Sequence, residues 1–252
     1  SKNYNMKKLV LTLFTLCCIG ISFSQIKTPQ PSPSSTLKQT VGITEITVNY
    51  SRPGAKDRTI FGELVPYNKI WRTGANKATA ITFKSDVIFG ETKVKKGTYS
   101  LFTVPGDSEW VVMLNKETEL LGAGNYNKEN EVAAFKVDTK KTSDFTESFT
   151  IDFNTFTAFG AMMNLTWENT QVSVPVMTYG KEKLAEQFKK ELVDGPDAGL
   201  FYNGARFYLD NDLNINLALE WITVATEKRP EAFWMLYQLS LIHISEPTRH
   251  VD

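Results

Sequence analysis

The 252-residue chain carries 28 basic and 28 acidic side chains, a balance that offers no electrostatic case for binding nucleic acid or an anionic membrane surface. Its two cysteines, Cys17 and Cys18, and its two histidines, His243 and His250, fall in terminal segments that read as separate from the folded domain. What lies between lacks the side chains behind most nucleophilic, near-neutral acid–base and transition-metal chemistry, so no catalytic residue, metal or cofactor is assigned.

At the N-terminus, Lys7 and Lys8 precede an apolar run over 9–21, and Ser22 and Ser24 supply the small residues of a cleavage site before Gln25. Residues 1–24 therefore read as a signal peptide, with a few upstream residues before Met6. The apolar run is shorter than the roughly 20 residues a membrane helix needs. The expectation is an exported protein, periplasmic or secreted, with no integral span after cleavage. Having no cysteine left for disulfides, such a chain relies on an ordinary hydrophobic core.

Residues 25–35, with Pro29, Pro31 and Pro33 among serines and threonines, read as an extended linker. Over 36–178 the β pattern dominates. Ile46, Val48 and Tyr50 alternate with Thr47 and Asn49, as a half-buried strand requires. Further strands are expected over 79–84, 87–89, 98–104, 110–114, 132–137, 145–153, 162–167 and 171–176. Turn residues separate them, including Gly97, Pro105-Gly106-Asp107, the 122–125 segment and Glu168-Asn169. Many short strands at this spacing predict a mainly β fold, an antiparallel β-sandwich with Greek-key-like connections.

The period then changes. Helices are expected over 181–193, 200–209, 213–227 and 231–236, with Gly195-Pro196 as a break, so 181–238 forms a small α-helical segment. Ala205, Tyr208, Ala218, Ile222, Ala225 and Pro230 fall close to the small and aromatic positions of a tetratricopeptide repeat, with a turn about one residue longer than its consensus. Residues 239–252 resemble the translated read-through of a sequencing-library adapter, which would end the natural sequence near Gln238. Ile242 and Ile244 alternate like a strand directly after a helical segment, the kind of local conflict expected at a junction selection never saw.

Arg52, Arg58 and Arg72 are three of the five arginines in the 25–238 segment, where the other basic charges are lysines. Arginine is favoured over lysine where a planar fork meets a carboxylate or phosphate, or stacks on an aromatic ring. With Tyr67, Trp71 and Asn76 nearby in sequence, these residues make a candidate pocket for a small anionic or glycan ligand. The competing expectation is a long loop pinned by Arg–carboxylate pairs, with Trp71 in the core. Glu168 joins the candidate set because it follows Trp167, an apolar neighbour able to raise a carboxyl pKa.

Ser51-Arg52-Pro53, Phe61-Gly62, Pro66-Tyr67, the run from Trp71 to Asn76, and Gly97-Thr98-Tyr99-Ser100-Leu101-Phe102 with Pro105 together resemble the DUF2911 family of exported bacterial proteins, over roughly 32–176. The resemblance implies export, and helical C-terminal extensions also occur in that family. It implies no activity, because the family's function is uncharacterised, so no catalytic residue is carried over.

Other motifs fail. Ser35-Thr36-Leu37-Lys38 spells Ser-x-x-Lys, yet no Ser-Asp-Asn or Lys-Thr-Gly follows. Asp210, Asp212 and Asn214 begin like a calcium loop, but Ile215 stands where glycine is needed and Trp221 where the closing glutamate belongs. Gly122-Ala123-Gly124 lacks a third glycine and a following helix. Two functional expectations remain. The first is a non-catalytic binding or interaction module of the cell envelope, whose partner is an envelope protein or a small anionic or glycan ligand. The second is a carboxylate-dependent hydrolase with Glu168 or another acid as base and the arginines holding an anionic or glycan substrate.

Overall fold

Strict alternation builds the sheet. Along β2 (Thr44–Ser51), Thr44, Ile46, Val48 and Tyr50 are buried while the residues between them are not, the period-2 arrangement of a strand with one face on a core. The computed structural model describes residues 28–193 and 195–245. The chain divides into units 1–31 and 32–252, and 28–31 of the first carry no regular structure. The expected signal peptide, both cysteines and His250 lie outside the described residues.

The second unit is mainly β. Its strands are β1 (Ser34–Val41), β2, β3 (Thr79–Phe83), β4 (Val87–Phe89), β5 (Thr92–Val94), β6 (Gly97–Val104), β7 (Glu109–Asn115), β8 (Glu131–Asn154) and β9 (Gly160–Thr178). They form one antiparallel sheet in the order β1-β2-β3-β6-β7-β8-β9-β4-β5. One cluster takes buried side chains from both halves of this sheet, among them Ile46, Ile81 and Trp110 from one and Phe89, Leu165 and Val174 from the other. The sheet therefore coils around its own core, the sandwich-like solution to burying an apolar face.

The strands differ from expectation in three places. β1 begins inside the expected linker and pairs along its whole length with β2, from Ser34 opposite Ser51 to Val41 opposite Thr44. Its alternation is of polar residues with only Leu37 and Val41 apolar, so hydrophobicity could not reveal it. β5 was unforeseen for its shortness, and a two-residue turn at Gly90-Glu91 joins it to β4. The pairs expected over 132–137 with 145–153, and 162–167 with 171–176, are each one long strand. Glu168-Asn169 is no turn: Glu168 takes φ 50° within β9, where the β8 register shifts on both sides of its partner Thr146. Such a bulge bends a strand without ending it.

Four helices follow: α1 (Gly180–Glu191), α2 (Ala198–Asp210), α3 (Ile215–Lys228) and α4 (Phe233–Ser245). Asp197 caps α2 by accepting from the Leu200 amide, and Asn214 caps α3 by accepting from the Asn216 and Leu217 amides. The incipient calcium loop is thus a helix stop and start. Ala205, Tyr208, Ala218, Trp221, Ile222 and Ala225 are buried together in a second core. Helix α4 runs past the expected end at 236 and includes Ile242, so the strand-like alternation there is absorbed into a helix. Among the described residues no helix is long and apolar enough to cross a membrane.

Candidate functional site

The loop between β2 and β3 holds the arginine- and tryptophan-rich residues, and the fold uses most of them internally. Trp71 is 8% exposed. Its indole Nε1 donates to the Gly74 carbonyl at 3.0 Å. The ring stacks on Trp167 at 5.9 Å and 19° and meets Phe61, Trp110 and Phe149 edge-on. Its backbone exchanges hydrogen bonds with Thr103 at 2.7 and 2.9 Å, tying the loop to β6.

The expected Arg–carboxylate pins are replaced by bonds to neutral acceptors. Arg52 Nε donates to the Phe149 carbonyl at 3.0 Å and Nη2 to Thr150 Oγ1 at 2.7 Å, fastening the end of β2 to β8. Arg58 Nε donates to the Ala55 carbonyl at 2.9 Å and Nη2 to the Gly54 carbonyl at 2.8 Å, closing its own turn. Arg72 lies half-buried with Nη1 beside Gly122 and with Nε lacking a hydrogen-bond partner. None of the three enters an ion pair among the described residues.

Asn76 sits at φ 62° and donates from Nδ2 to Ser51 Oγ at 3.2 Å. Glu168 Oε1 accepts from the Ile60 amide at 3.0 Å, holding the loop against β9. Tyr67 packs over Gly62, and its phenol is pushed up by burial and then by the negative charges of Asp107 and Glu168. Among the described residues the seven are held mainly by partners outside the set rather than by one another. Tyr67 and Glu168 approach one another, Arg52 and Arg58 hold the loop, and Asn76 closes onto Ser51.

A different site emerges at the junction of the sheet and the helices. A cleft of about 660 Å³ is lined by Lys84, Ser85 and Asp86 of the β3–β4 connection, Lys93 and Val94 of β5, Lys95 and Lys96 leading into β6, and Tyr179 and Lys183 at the start of α1. Five lysines thus face one aspartate. Asp86 Oδ2 accepts from Lys95 Nζ at 3.0 Å, and Oδ1 accepts from the Lys96 amide at 2.9 Å. These bonds, led by that of the Lys96 amide, hold the Asp86 carboxyl below its ordinary value, and the Lys183 charge acts in the same direction. Hydrogen bonding to Asp86 pushes Lys95 up.

The other four lysines, Lys84, Lys93, Lys96 and Lys183, have no carboxylate within ion-pair distance among the described residues. The walls beneath them are fixed. Tyr99 Oη donates to the Lys95 carbonyl at 2.9 Å, Ser85 Oγ shares a 2.6 Å hydrogen bond with Thr44 Oγ1, and the Lys84 amide donates to the Glu45 carbonyl at 3.1 Å. A concave surface lined by charges of one sign focuses its field and raises the local concentration of counter-ions.

The protein of unknown function DUF2911 is the family that matches here, over residues 32–176, more than half of the chain. The chain belongs to the DUF2911 family. Neither the curated proteins nor the solved structures offer a match. In this DUF2911 protein the matched segment covers the sheet from Ser34 to within two residues of the end of β9. The residues that carry the resemblance in sequence, Arg52, Phe61, Trp71 and Tyr99 among them, are the ones that fix the loop and fill the core. Lys84, Lys93, Lys95 and Lys96 lie inside the matched segment, whereas Tyr179 and Lys183 come from the extension.

Sequence reasoning missed the cleft because its lysines are scattered over a hundred positions and look like solvated strand and helix faces one at a time. The one local signal is Lys93-Val94-Lys95-Lys96, three cations in four residues, which line the cleft together with Lys84.

Proposed function

We propose that this DUF2911 protein is an exported, non-catalytic binding module of the cell envelope that holds a small anionic ligand in the lysine-lined cleft. The observation that carries the proposal is the concave cluster of five lysines with a single acid among them. Lysines are compact point charges on flexible stems, suited to anionic groups spread over a ligand rather than to one bidentate carboxylate. The leader-like pattern at Lys7, Lys8 and Ser22–Ser24 supports export. The burial of Ala205, Tyr208, Ala218, Ile222 and Ala225 at the junction of α2 and α3 supports a tetratricopeptide-like role for the helices in meeting an envelope partner.

The test is calorimetric titration with inorganic tripolyphosphate as a charge probe, at about 50 mM and about 300 mM salt, where screening lengths differ more than twofold. The wild type is expected to bind at low salt and weaken at high salt. The exposed triple variant Lys93→Met, Lys96→Met, Lys183→Met should lose about tenfold or more in affinity, at up to roughly 1 kcal/mol per exposed charge, with an unchanged circular dichroism spectrum. No binding by the wild type, or equal binding by the variant, refutes the proposal. Export is checked separately by a reporter enzyme active only outside the cytoplasm, fused to the C-terminus of the full chain; an inactive fusion refutes it.

A further inference from the structure

A purely cationic cleft would serve any polyanion, and Asp86 is the residue that does not fit such a purpose. It is the one acid in the lining, its side chain is 38% exposed, and it is held in place by Lys95 and the Lys96 amide. An ionised carboxylate only accepts hydrogen bonds, with about four lone-pair sites. Two of them are taken here, one on each oxygen, leaving acceptor capacity on a residue that lines the cleft. A phosphate chain brings only acceptors and is repelled by this group. Tyr179, half-buried in the same lining, offers an aromatic face and a phenol, an amphipathic surface suited to an apolar body with polar edges.

We propose that the cleft is specific for an acidic carbohydrate, with Lys84, Lys93, Lys96 and Lys183 taking the anionic groups, Asp86 accepting from ring hydroxyls and Tyr179 covering a sugar face. The assignment rests on the anion-binding role proposed above and names the ligand class of that site. A volume of about 660 Å³ lies within the usual range of small-molecule pockets, about 300–1,000 Å³. Sugars supply many hydroxyl donors, which the ionised Asp86 carboxylate can accept, whereas a phosphate chain offers it none. Lys95 is a positioning residue here: its ammonium group holds the carboxylate rather than meeting the ligand.

The experiment is calorimetry on the full chain with two probes, a galacturonic acid trisaccharide and inorganic tripolyphosphate, against the wild type and Asp86→Asn. Asparagine keeps an acceptor for the Lys96 amide, but it removes the charge and puts an NH2 donor where an oxygen accepts from Lys95, so a thermal melt checks that folding is preserved. The trisaccharide is expected to bind the variant about tenfold more weakly, the loss of one charge-assisted hydrogen bond, while tripolyphosphate binds it more tightly. Opposite signs are the diagnostic, since removing a negative charge helps every ligand that is only an anion.

If the variant tightens both probes, or the wild type binds tripolyphosphate and not the trisaccharide, the carbohydrate assignment is overturned and the anion-binding role stands. If the wild type binds neither, both fall. Should Asp86→Asn melt early, Tyr179→Ala replaces it. Weaker trisaccharide binding with unchanged tripolyphosphate binding then supports the assignment, and equal effects on both probes refute it.

Discussion

Trp71 separates a structural account of the arginine- and tryptophan-rich loop from a ligand-binding one. The side chain is 8% exposed and touches Phe61, Trp110, Phe149 and Trp167. Truncating such a residue to alanine costs roughly 3–5 kcal/mol for lost transfer and the cavity left behind. For a domain of this size, at about 2–4 °C per kcal/mol, that is a fall in Tm of roughly 6–20 °C. Trp71→Phe retains an aromatic ring but deprives the Gly74 carbonyl of its 3.0 Å donor, and a lost buried hydrogen bond costs about 1–3 kcal/mol. Urea unfolding of both variants, paired with tripolyphosphate titration of the folded Trp71→Phe protein, measures the two roles side by side. The structure predicts a large loss of stability with affinity unchanged within about twofold, because Trp71 does not line the cleft. A Trp71→Phe protein of wild-type stability, or one that keeps stability and loses binding, refutes the reasoning.

Gly90 opens the two-residue turn between β4 and β5 at φ 61°, and a Cβ there would overlap the Phe135 ring. Gly90→Ala should therefore destabilise by about 2–4 kcal/mol, from the left-handed backbone together with overpacking, read as a lowered urea midpoint; a change under about 0.5 kcal/mol refutes the packing account. At high pH, Tyr126 is the group to follow. Burial first, then its hydrogen bond to Glu131 and that residue's charge, push its phenol well up. In the unfolded chain a tyrosine ionises near pH 10, so the folded state holds its proton more tightly and loses stability as pH rises beyond that point. Tyr126→Phe should flatten this alkaline loss relative to the wild type in unfolding curves at pH 8 and pH 11, and an identical slope in both proteins refutes the assignment.

What could be read from the sequence tracked how local the cause was. The strand around Ile46, Val48 and Tyr50 announced itself because its register faces one core. Asp197 and Asn214 start helices through bonds made within three residues. β1 did not announce itself, because its exposed face and its pairing to β2 leave a polar alternation. Glu168-Asn169 looked like a turn because Glu168 does adopt a left-handed backbone, yet its strand continues through a bulge held by the distant Ile60 amide. The arginines illustrate the same limit. Their type was legible, but whether the fork meets a carboxylate, a carbonyl or a ligand depends on β8, a hundred residues away from Arg52.

The lysine cleft carries this argument one step further. The signals strongest in the sequence, Trp71 with its neighbouring arginines, belong to residues whose work is to hold a loop onto a coiled sheet, and strong local chemistry is what such packing requires. The cleft is assembled from residues that are weak signals singly, and its net charge exists only because a hairpin and a helix start converge. A chain with balanced total charge therefore still presents a strongly cationic surface, and total charge excludes a class of partner only when the charges are evenly spread. Since Tyr179 and Lys183 come from outside the family-matched segment, the proposed anion-binding role requires α1 to contribute through its first turn. Lys183→Met should then weaken tripolyphosphate binding as much as Lys93→Met does, although Lys93 lies on β5 and Lys183 at the start of α1.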